Sequence, residues 1–394
     1  MNTYKKEILP LETERGSYYY YKEKLASLKQ ELEEFLAGPG QYMDDRTFAE
    51  RFLGCQEIQA NNSVEGYNDD ALTIRAVIMD TYHHNLPDKR RKIINNLYEA
   101  YQMILEGQAI TQENLKKLYN ILSSGLLSQD DLAEMGPFYR NGEVEINFSG
   151  ILGDEDFHLT NHGLGRYKDH GVTPELVSQY MDSLFSFLNN DGNLITPTDY
   201  FIKSQIAHYY FVYVHPYYDI NGRSSRTLAM WYLINHEVYP YIIFNRAIPF
   251  SNRYYNQAIR DTKRFKNLTF FLQFMLSKVK IELEKEYLIR SVNEALPRAL
   301  DDEEYQTLYY ILSMKGLKTC KDFASFYNRL NDKKTMRDID EQMLEPLIRK
   351  NVIEVIRKTS SYLYGEKANY VFELNDDMID NDPQKIPRLR LQKK

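Results

Sequence analysis

Residues 215–226 read HPYYDINGRSSR and connect two predicted helices in the middle of the chain. The preceding helix is apolar nearly all round over residues 206–214, so we expect it to be buried. Pro216 disfavours helical geometry at the residue before it, which predicts that this helix ends near His215. The next helix should begin near Gly222. The segment is therefore predicted to be a short loop that leads from one helix into the N-terminus of another.

The residue types in this loop favour chemistry on phosphate groups. Backbone N–H groups at a helix N-terminus converge on one spot, and the helix dipole adds positive potential there. Arg223 and Arg226 lie three residues apart, so both can bind phosphate oxygens. Asn221 offers amide donors, and Asp219 offers a hard oxygen ligand for Mg²⁺. His215 can accept a proton from an attacking hydroxyl. Together these groups predict phosphoryl or nucleotidyl transfer.

The same segment resembles the signature of Fic-domain proteins, His-Pro-Phe-x-Asp-Gly-Asn-Gly-Arg-x-x-Arg. These are helical enzymes, most of which transfer AMP from Mg-ATP to a protein hydroxyl. The resemblance implies that His215 is the general base and Asp219 the metal ligand, and that phosphate is bound by Asn221, Gly222, Arg223 and Arg226. Tyr217 replaces the family's Phe, and Ile220 replaces the first of its two Gly, the one directly after Asp. The isoleucine indicates that the loop needs no positive φ at that position unless it is strained.

Two further stretches extend the resemblance. Tyr254 and Tyr255 match the family's Tyr-Tyr helix, where they would lie near adenine and ribose, although packing in the core is an equally good interpretation. The irregular residues before Pro174 correspond to the family's flap, a hairpin that holds the target segment by strand pairing. Alignment on Pro174 places the flap at Arg166, Tyr167, Lys168 and Asp169.

A separate motif lies near the N-terminus, where residues 61–66 read NNSVEG. They resemble the inhibitory motif of Fic proteins, Ser/Thr-x-x-x-Glu-Gly/Asn, with Asn61 at the Ser/Thr position. The resemblance implies that Glu65 pairs with Arg226 and occupies the site of the γ-phosphate. The alternative is a solvated glutamate at the end of a helix.

Most of the remaining chain up to residue 290 shows helical periodicity. Before the middle of the chain, apolar residues recur at helical spacing within residues 18–36, 46–60, 93–105 and 111–122. The Asn141-Gly142 pair predicts a local hairpin within residues 138–146. Periodicity therefore predicts a mainly α fold, and the resemblance implies a Fic-type helical bundle with a small β-hairpin flap.

The last hundred residues follow a different pattern. Three short helices and two strands predict a winged helix-turn-helix; they are expected at residues 305–314, 321–330, 335–349, 352–356 and 369–374. Pro346 would cost about 3 kcal/mol inside a helix and can split the third one. Residues 335–350 carry a net charge of −1, which favours a protein-contact module over a DNA reader.

Four regions follow from these patterns. They are an N-terminal helical region with the inhibitory motif (1–100), a Fic catalytic domain (101–290), a winged-helix domain (300–375) and a disordered tail (376–394).

The composition of the chain indicates which partners and which cellular compartment to expect. Lys and Arg number 49 against 56 Asp and Glu, a net charge of −7, so the whole chain is no counter-ion for nucleic acid or an anionic membrane. Cys55 and Cys320 are too few for a disulfide framework. The first residues show no apolar stretch typical of a secretory signal, and no segment reaches the roughly 20 apolar residues of a spanning helix. We expect a cytoplasmic protein that binds neither nucleic acid nor membrane.

The sequence thus predicts a protein adenylyltransferase that uses ATP and Mg²⁺, acts on a Ser, Thr or Tyr hydroxyl of a target protein and is inhibited by Glu65. Removal of AMP, self-modification and homo-oligomer formation stay open. Two alternatives remain: transfer of another phosphate-containing group, and a winged-helix regulatory or binding module whose nucleotide fold only senses its ligand. An intact His215 favours an enzyme, because a sensor needs no general base.

Overall fold

The computed structural model describes residues 4–81, 86–147, 168–192, 194–314, 318–331, 333–359 and 369–375. As predicted, the fold is mainly α. The first half of the chain contains β1 (Lys6–Thr13), β2 (Gly16–Tyr21), α1 (Lys22–Ala37), α2 (Arg46–Phe52), α3 (Cys55–Val64), α4 (Ala71–Ile78), α5 (Asp88–Leu105), α6 (Gln112–Ser123), α7 (Gln129–Glu134), β3 (Glu145–Asn147) and β4 (Lys168–His170). The second half contains α8 (Pro174–Leu188), α9 (Pro197–Val214), α10 (Asn221–Asn235), α11 (Asn252–Phe265), α12 (Thr269–Ala295), α13 (Asp302–Ser313), β5 (Lys318–Thr319), α14 (Cys320–Leu330), α15 (Met336–Asp338), α16 (Glu345–Arg349), β6 (Ile353–Thr359) and β7 (Asn369–Leu374).

Helices α9 and α10 form the centre of the main core. Nearly every residue of both is buried, as the apolar run before His215 predicts. Thr196 caps the N-terminus of α9, with Pro197 in the first turn, a position where its missing N–H costs nothing. The long helix α12 packs its first half on this core and carries Ile289 and Val292 into a second core formed by the C-terminal residues.

The helix predicted over residues 18–36 begins later than expected. Residues 6–21 form an antiparallel hairpin, and only Lys22–Ala37 is helical. Tyr18 lies in β2, where its hydroxyl is 2.9 Å from that of Tyr209. The backbone of Tyr19 pairs with the connection between α11 and α12 at Lys266 and Leu268. These long-range contacts and the β-propensity of consecutive tyrosines outweigh the local helical spacing.

Two other local predictions are wrong in detail. The helix expected over residues 46–60 is broken at Leu53-Gly54 into α2 and α3. Asn141-Gly142 does not join a local hairpin, because β3 pairs with β4, more than twenty residues downstream, rather than with the residues before the turn.

The C-terminal unit contains helices α13 to α16 and an antiparallel sheet with strand order β5-β7-β6. This order of elements agrees with a winged helix-turn-helix, which stays a prediction. The third predicted helix is divided: residues 339–344 form a π-helical turn, and α16 begins before Pro346. Arg337, Arg349 and Lys350 each pair with a carboxylate of the same unit, which leaves little positive charge for nucleic acid.

The C-terminal unit also contacts α3. The side-chain amide of Gln59 donates to Asn331 at 2.8 Å and accepts from Gln306 at 2.9 Å. The expected tail, residues 376–394, and the flap residues Arg166 and Tyr167 lie outside the described residues. Among the described helices, none is both long and apolar enough to cross a membrane.

Candidate active site

His215 lies at the point where α9 ends. Its backbone is left-handed, with φ 53° and ψ 61°, so the chain turns away from the helix there. The ring Nδ1 is 3.2 Å from the carbonyl oxygen of Val212, a contact in which a neutral imidazole donates from Nδ1 and keeps Nε2 as an acceptor. Burial, together with the positive charges of Arg140 and Lys263, lowers the pKa of His215 to about 4. The imidazole is therefore a neutral base at physiological pH.

The loop after His215 is fixed by its own side chains. Asn221 accepts from the backbone N–H of Tyr217 at 3.0 Å and donates to the Tyr217 carbonyl at 2.8 Å. These two bonds fix the loop and use one of the two N–H donors of the Asn221 amide, so the contact of Asn221 with phosphate stays a prediction. The Tyr217 ring is fully buried and stacks on Tyr119, which explains why it can replace phenylalanine.

Ile220 has φ 68° and ψ 7° and immediately precedes α10. The loop therefore does require a positive φ where the family has glycine, contrary to the simpler expectation from the sequence. A left-handed backbone costs roughly 1–2 kcal/mol for a residue with a Cβ. The isoleucine side chain is buried, and this burial offsets the strain.

The first turn of α10 presents free hydrogen-bond donors. No side chain caps this helix. The guanidinium of Arg223 is buried, and its Nε has no hydrogen-bond partner among the described residues. A Cβ on Gly222 would lie 2.5 Å from Oε1 of Glu65, so only glycine permits such close approach. Buried donors without partners are rare in folded proteins, and these point toward an anion.

Arg226 and Glu65 meet above this turn, as the inhibitory motif implies. Nη2 of Arg226 is 2.5 Å from Oε1 of Glu65, although the residues are 161 positions apart. The arginine side chain is 2% exposed and the glutamate side chain 32%. Burial alone would raise the pKa of Glu65, but Arg226 and Arg223 outweigh it and lower that pKa. The carboxylate is therefore ionised where a phosphate would also be attracted.

A buried network behind Arg226 was not found from the sequence. Nε of Arg226 donates to the side-chain oxygen of Asn61 at 2.8 Å, and the Asn61 amide donates to the hydroxyl of Tyr101 at 2.8 Å. Tyr101 and Asn245 both donate to Glu57. Burial raises the pKa of Glu57 to about 8. Within the part of the chain that the structure describes, its other oxygen has no partner, which agrees with a protonated carboxyl. The only local signal was a polar residue at the Ser/Thr position of the motif.

The two predicted nucleotide-contacting tyrosines differ in their surroundings. Tyr255 is buried, and its hydroxyl is 2.9 Å from Nε2 of His208. It packs in the core, as the alternative interpretation expects, and its contact with adenine or ribose stays a prediction. Tyr254 is 65% exposed on the same helix, so its contact with a nucleotide stays a prediction.

Strands β3 and β4 lie beside His215, where the flap was predicted. Lys168 and Asp169 belong to β4, and Asp169 pairs with Lys263 at 2.7 Å. Gly171 follows β4; a Cβ there would lie 3.0 Å from the Cβ of His215. A cleft of about 470 Å³ separates this strand pair from the β1–β2 turn. The described residues that line this cleft include Asp169, His170 and Gly171, but not His215 itself.

Asp219 lies on the exposed side of the loop, where one carboxylate oxygen accepts from the N–H of Ile220 at 2.6 Å. Among the described residues, no group of three or more His, Cys, Asp and Glu side chains could hold a metal ion. A single carboxylate suits Mg²⁺ that arrives with substrate phosphates, because such ions take one or two protein ligands and fill the other positions with phosphate oxygens and water.

Comparison with known proteins agrees with this site. Residues 69–233 match the model of the Fic/DOC family. The chain contains a Fic domain. A segment of 144 residues, 32% of the chain, is 29% identical to protein adenylyltransferase fic-1 of Caenorhabditis elegans and covers 25% of that protein. The match thus spans about a quarter of the length of this relative.

Solved structures resemble the chain over a larger share. A Fic family protein from Desulfovibrio desulfuricans G20 superposes with a TM-score of 0.54 at 18% identity, covering 90% of this chain and 96% of the other. A structure of Fic-1 from C. elegans gives 0.47 at 15% identity, over 68% of this chain and 71% of that one. The first of these supports the Fic fold.

The matched range places the parts of the site relative to the Fic domain. It includes β3, β4, α8, α9 and most of α10, and with them every residue from His215 to Arg226. It begins after Glu65, so the contact between Glu65 and Arg226 joins the Fic domain to a helix that precedes the matched residues.

Proposed function

We propose that this protein is a protein adenylyltransferase that moves AMP from Mg-ATP to a hydroxyl group of a target protein. One observation carries the proposal. A neutral His215 with an available Nε2 stands at one end of a loop whose other end is the donor-rich N-terminus of α10. A base and an anion site at the two ends of one short loop are what nucleotidyl transfer to a hydroxyl requires.

The residues present fit a nucleotide triphosphate. The partnerless Nε of Arg223 and the uncapped first turn of α10 are donors for phosphate oxygens. Arg226 is the second guanidinium, and Glu65 now takes the bond that a phosphate oxygen would otherwise take. When bound, Mg²⁺ would neutralise phosphate charge, and Asp219 is the carboxylate that would hold it.

The chain's own groups have distinct tasks in the reaction. Nε2 of His215 accepts the proton of the target hydroxyl, whose oxygen forms a new bond to the α-phosphorus while the bond to pyrophosphate breaks. The N–H groups of α10 and the guanidinium of Arg223 stabilise the charge that develops on the phosphate. The pair of strands beside His215 and the adjoining cleft hold the target segment in line with the phosphate, by the strand addition that exposed sheet edges permit.

We further propose that Glu65 inhibits this reaction. Its carboxylate binds Arg226 and lies above Gly222, where a phosphate oxygen of a correctly placed nucleotide would lie. Nucleotide bound beside Glu65 would be displaced, and displacement of the reacting phosphate by about 1 Å is enough to reduce transfer strongly. The relative fic-1 is described as a protein adenylyltransferase, which supports AMP as the transferred group.

The deciding experiment uses ATP labelled separately at the α- and γ-phosphates. The full-length chain carrying Glu65→Gly is incubated with Mg²⁺ and with a mixture of candidate protein targets. We expect protein labelling from α-labelled ATP only, and none when His215→Ala is added. Because the arginines and the helix N-terminus remain, the His215→Ala variant should still bind ATP.

Other outcomes would contradict the proposal. Labelling from the γ-phosphate only would mean phosphate transfer. Equal labelling with and without His215 would remove this residue from the mechanism. Binding of ATP without any labelling by the active variant would support the nucleotide-sensing alternative.

A further inference from the structure

Arg140 is a buried arginine at the base of the strand pair. It lies in the segment that precedes β3 and is 2% exposed. Its Nε donates to the carbonyl oxygen of His215 at 2.8 Å, and one terminal nitrogen donates to the carbonyl of Gly142 at 2.5 Å. The other terminal nitrogen donates to the carbonyl of Val172. All of these acceptors are neutral backbone oxygens.

The three acceptors belong to three separate pieces of the site. His215 is the end of α9, Gly142 leads into β3, and Val172 follows β4. The backbone N–H of Arg140 also donates to the carbonyl of Pro216 at 3.0 Å. One guanidinium therefore joins the histidine loop to both strands of the flap. A planar guanidinium with five fixed donors can do this, whereas the ammonium of lysine cannot reach all three directions at once.

Gly171 shows how tightly this junction is built. A Cβ on Gly171 would lie 2.7 Å from a terminal nitrogen of Arg140, 2.9 Å from the side chain of Val144 and 3.0 Å from the Cβ of His215. Contacts below 3.0 Å require some group to shift. Glycine at position 171 therefore permits the close approach of Arg140, Val144 and His215 at this junction.

The charge of Arg140 acts on His215 as well. Burial is the main cause of the lowered pKa of His215, and the positive charges of Arg140 and Lys263 lower it further. The hydrogen bond to Val212 and the charge of Glu65 act in the opposite direction. A fixed cation next to an imidazole disfavours the protonated ring. Arg140 thus affects both the orientation and the protonation state of the base.

We propose that Arg140 is a positioning residue for the transfer reaction: its guanidinium fixes the left-handed backbone at His215 and holds both strands of the flap in register with the base. The proposal rests on the function proposed above, because it concerns the same base. It assigns a role to a residue that contacts neither the nucleotide-binding turn of α10 nor Glu65.

The experiment compares Arg140→Lys and Arg140→Met with the parent chain, all carrying Glu65→Gly. Lysine keeps the positive charge but loses two or more of the contacts with carbonyl oxygens. Methionine loses the charge and all of these contacts. We expect kcat to fall at least about tenfold in each variant, with the dissociation constant for ATP changed less than about threefold. The pKa of His215, followed by NMR of ring-labelled histidine and assigned with His215→Ala, should rise in Arg140→Met and stay near the parent value in Arg140→Lys.

Lys203→Met is the matched control for a general loss of stability. Lys203 is also a buried cation: on the far part of α9 it donates to the backbone carbonyls of Leu188 and Asn190, and it pairs with the carboxylate of Asp191 at 2.7 Å. This variant should lower the melting temperature without moving the pKa of His215. If Arg140→Met does not fold, Arg140→Lys alone tests the proposal: its kcat should fall while its dissociation constant for ATP stays near the parent value.

The proposal is overturned if both Arg140 variants keep the parent kcat. It is also overturned if kcat and ATP affinity fall together, since that result indicates a role in stability alone. If the parent chain proves to transfer no AMP, the NMR titration still tests Arg140: an unchanged His215 pKa in Arg140→Met refutes the positioning role, and a raised one supports it while the transfer hypothesis fails separately.

Discussion

Replacement of Glu65 with glycine tests whether the contact above α10 is inhibitory. The substitution removes the carboxylate that binds Nη2 of Arg226 at 2.5 Å and lies against Gly222. Arg226 keeps its bond to Asn61, so its guanidinium should stay in place with one terminal nitrogen released. The expected result is a site in which a phosphate oxygen takes the position of the carboxylate.

The size of the effect follows from the exposure of the pair. A hydrogen bond between charged groups contributes about 1.5–3 kcal/mol. One partner here is 2% exposed and the other 32%, which favours the lower end of that range, because water weakens half-open ion pairs. Loss of a competing contact that contributes about 1.5 kcal/mol increases the fraction of bound nucleotide in the reactive position roughly tenfold. We therefore expect labelling from α-labelled ATP to increase at least about tenfold.

The assay is the initial rate of protein labelling by α-labelled ATP, with ATP affinity measured in parallel. Glu106→Gly is the matched control, because Glu106 is likewise the C-terminal cap of a helix, α5, and contacts Gln108 rather than Arg226. It should leave the rate at the parent value. The double variant Glu65→Gly/Arg226→Ala should lose the gain, since the released donor is then absent. If Glu65→Gly binds ATP and labels no faster than the parent chain, Glu65 is not an inhibitor.

Four further predictions address other parts of the site. In the Glu65→Gly background, kcat/KM should be flat from about pH 5.5 to 7, because a His215 pKa of about 4 leaves the base deprotonated there; a fall below pH 6.5 would indicate an ordinary histidine. Burial raises the pKa of Glu57 to about 8, so its contribution to the free energy of unfolding is present below pH 4.5 and is lost as the pH rises toward 8. Urea unfolding of the parent chain should show this loss, about a few kcal/mol in size. The Glu57→Gln variant should not show it. Gln59→Ala removes the bonds to Asn331 and Gln306, so it should loosen α3 and raise labelling severalfold in the parent chain but not in Glu65→Gly; a rise in both would place its effect elsewhere. Ile220→Gly should keep the ATP dissociation constant within about threefold, because glycine readily adopts the observed φ of 68°, and a tenfold loss of affinity would show that the isoleucine side chain shapes the anion site.

The parts of the site that were predicted correctly depend on short-range rules. Pro216 follows the C-terminal cap of α9, and the polar residues after the loop begin α10, so residues 215–220 form the predicted loop and residues 221–226 the first turns of the next helix. The buried character of α9 follows from its apolar composition alone. Glu65 and Arg226 were brought together by resemblance to a motif, because no local pattern links residues 161 positions apart.

The parts that were missed depend on contacts across the chain. Tyr18 occupies a strand because its neighbour Tyr19 pairs with Lys266 and Leu268. Arg140 looks like an ordinary turn residue next to Asn141-Gly142, and only the assembled fold shows its three carbonyl partners. Tyr255 differs from Tyr254 only in the face of α11 on which it lies. Periodicity over one helix cannot reveal such partners, since they come from elements distant in sequence.

Asn61 stands where the inhibitory motif has serine or threonine, and its hydrogen bonds show how a different residue type can do the same task. A serine or threonine hydroxyl can accept one hydrogen bond and donate another. The amide of Asn61 does both, accepting from Nε of Arg226 and donating to Tyr101. Tyr101 in turn donates to Glu57, so the orientation of Arg226 is fixed by a chain of hydrogen bonds that ends on a buried carboxyl. Asparagine therefore keeps the arginine pointed at Glu65, and under the proposed inhibition we expect it to hold the same guanidinium toward a phosphate oxygen once Glu65 is removed.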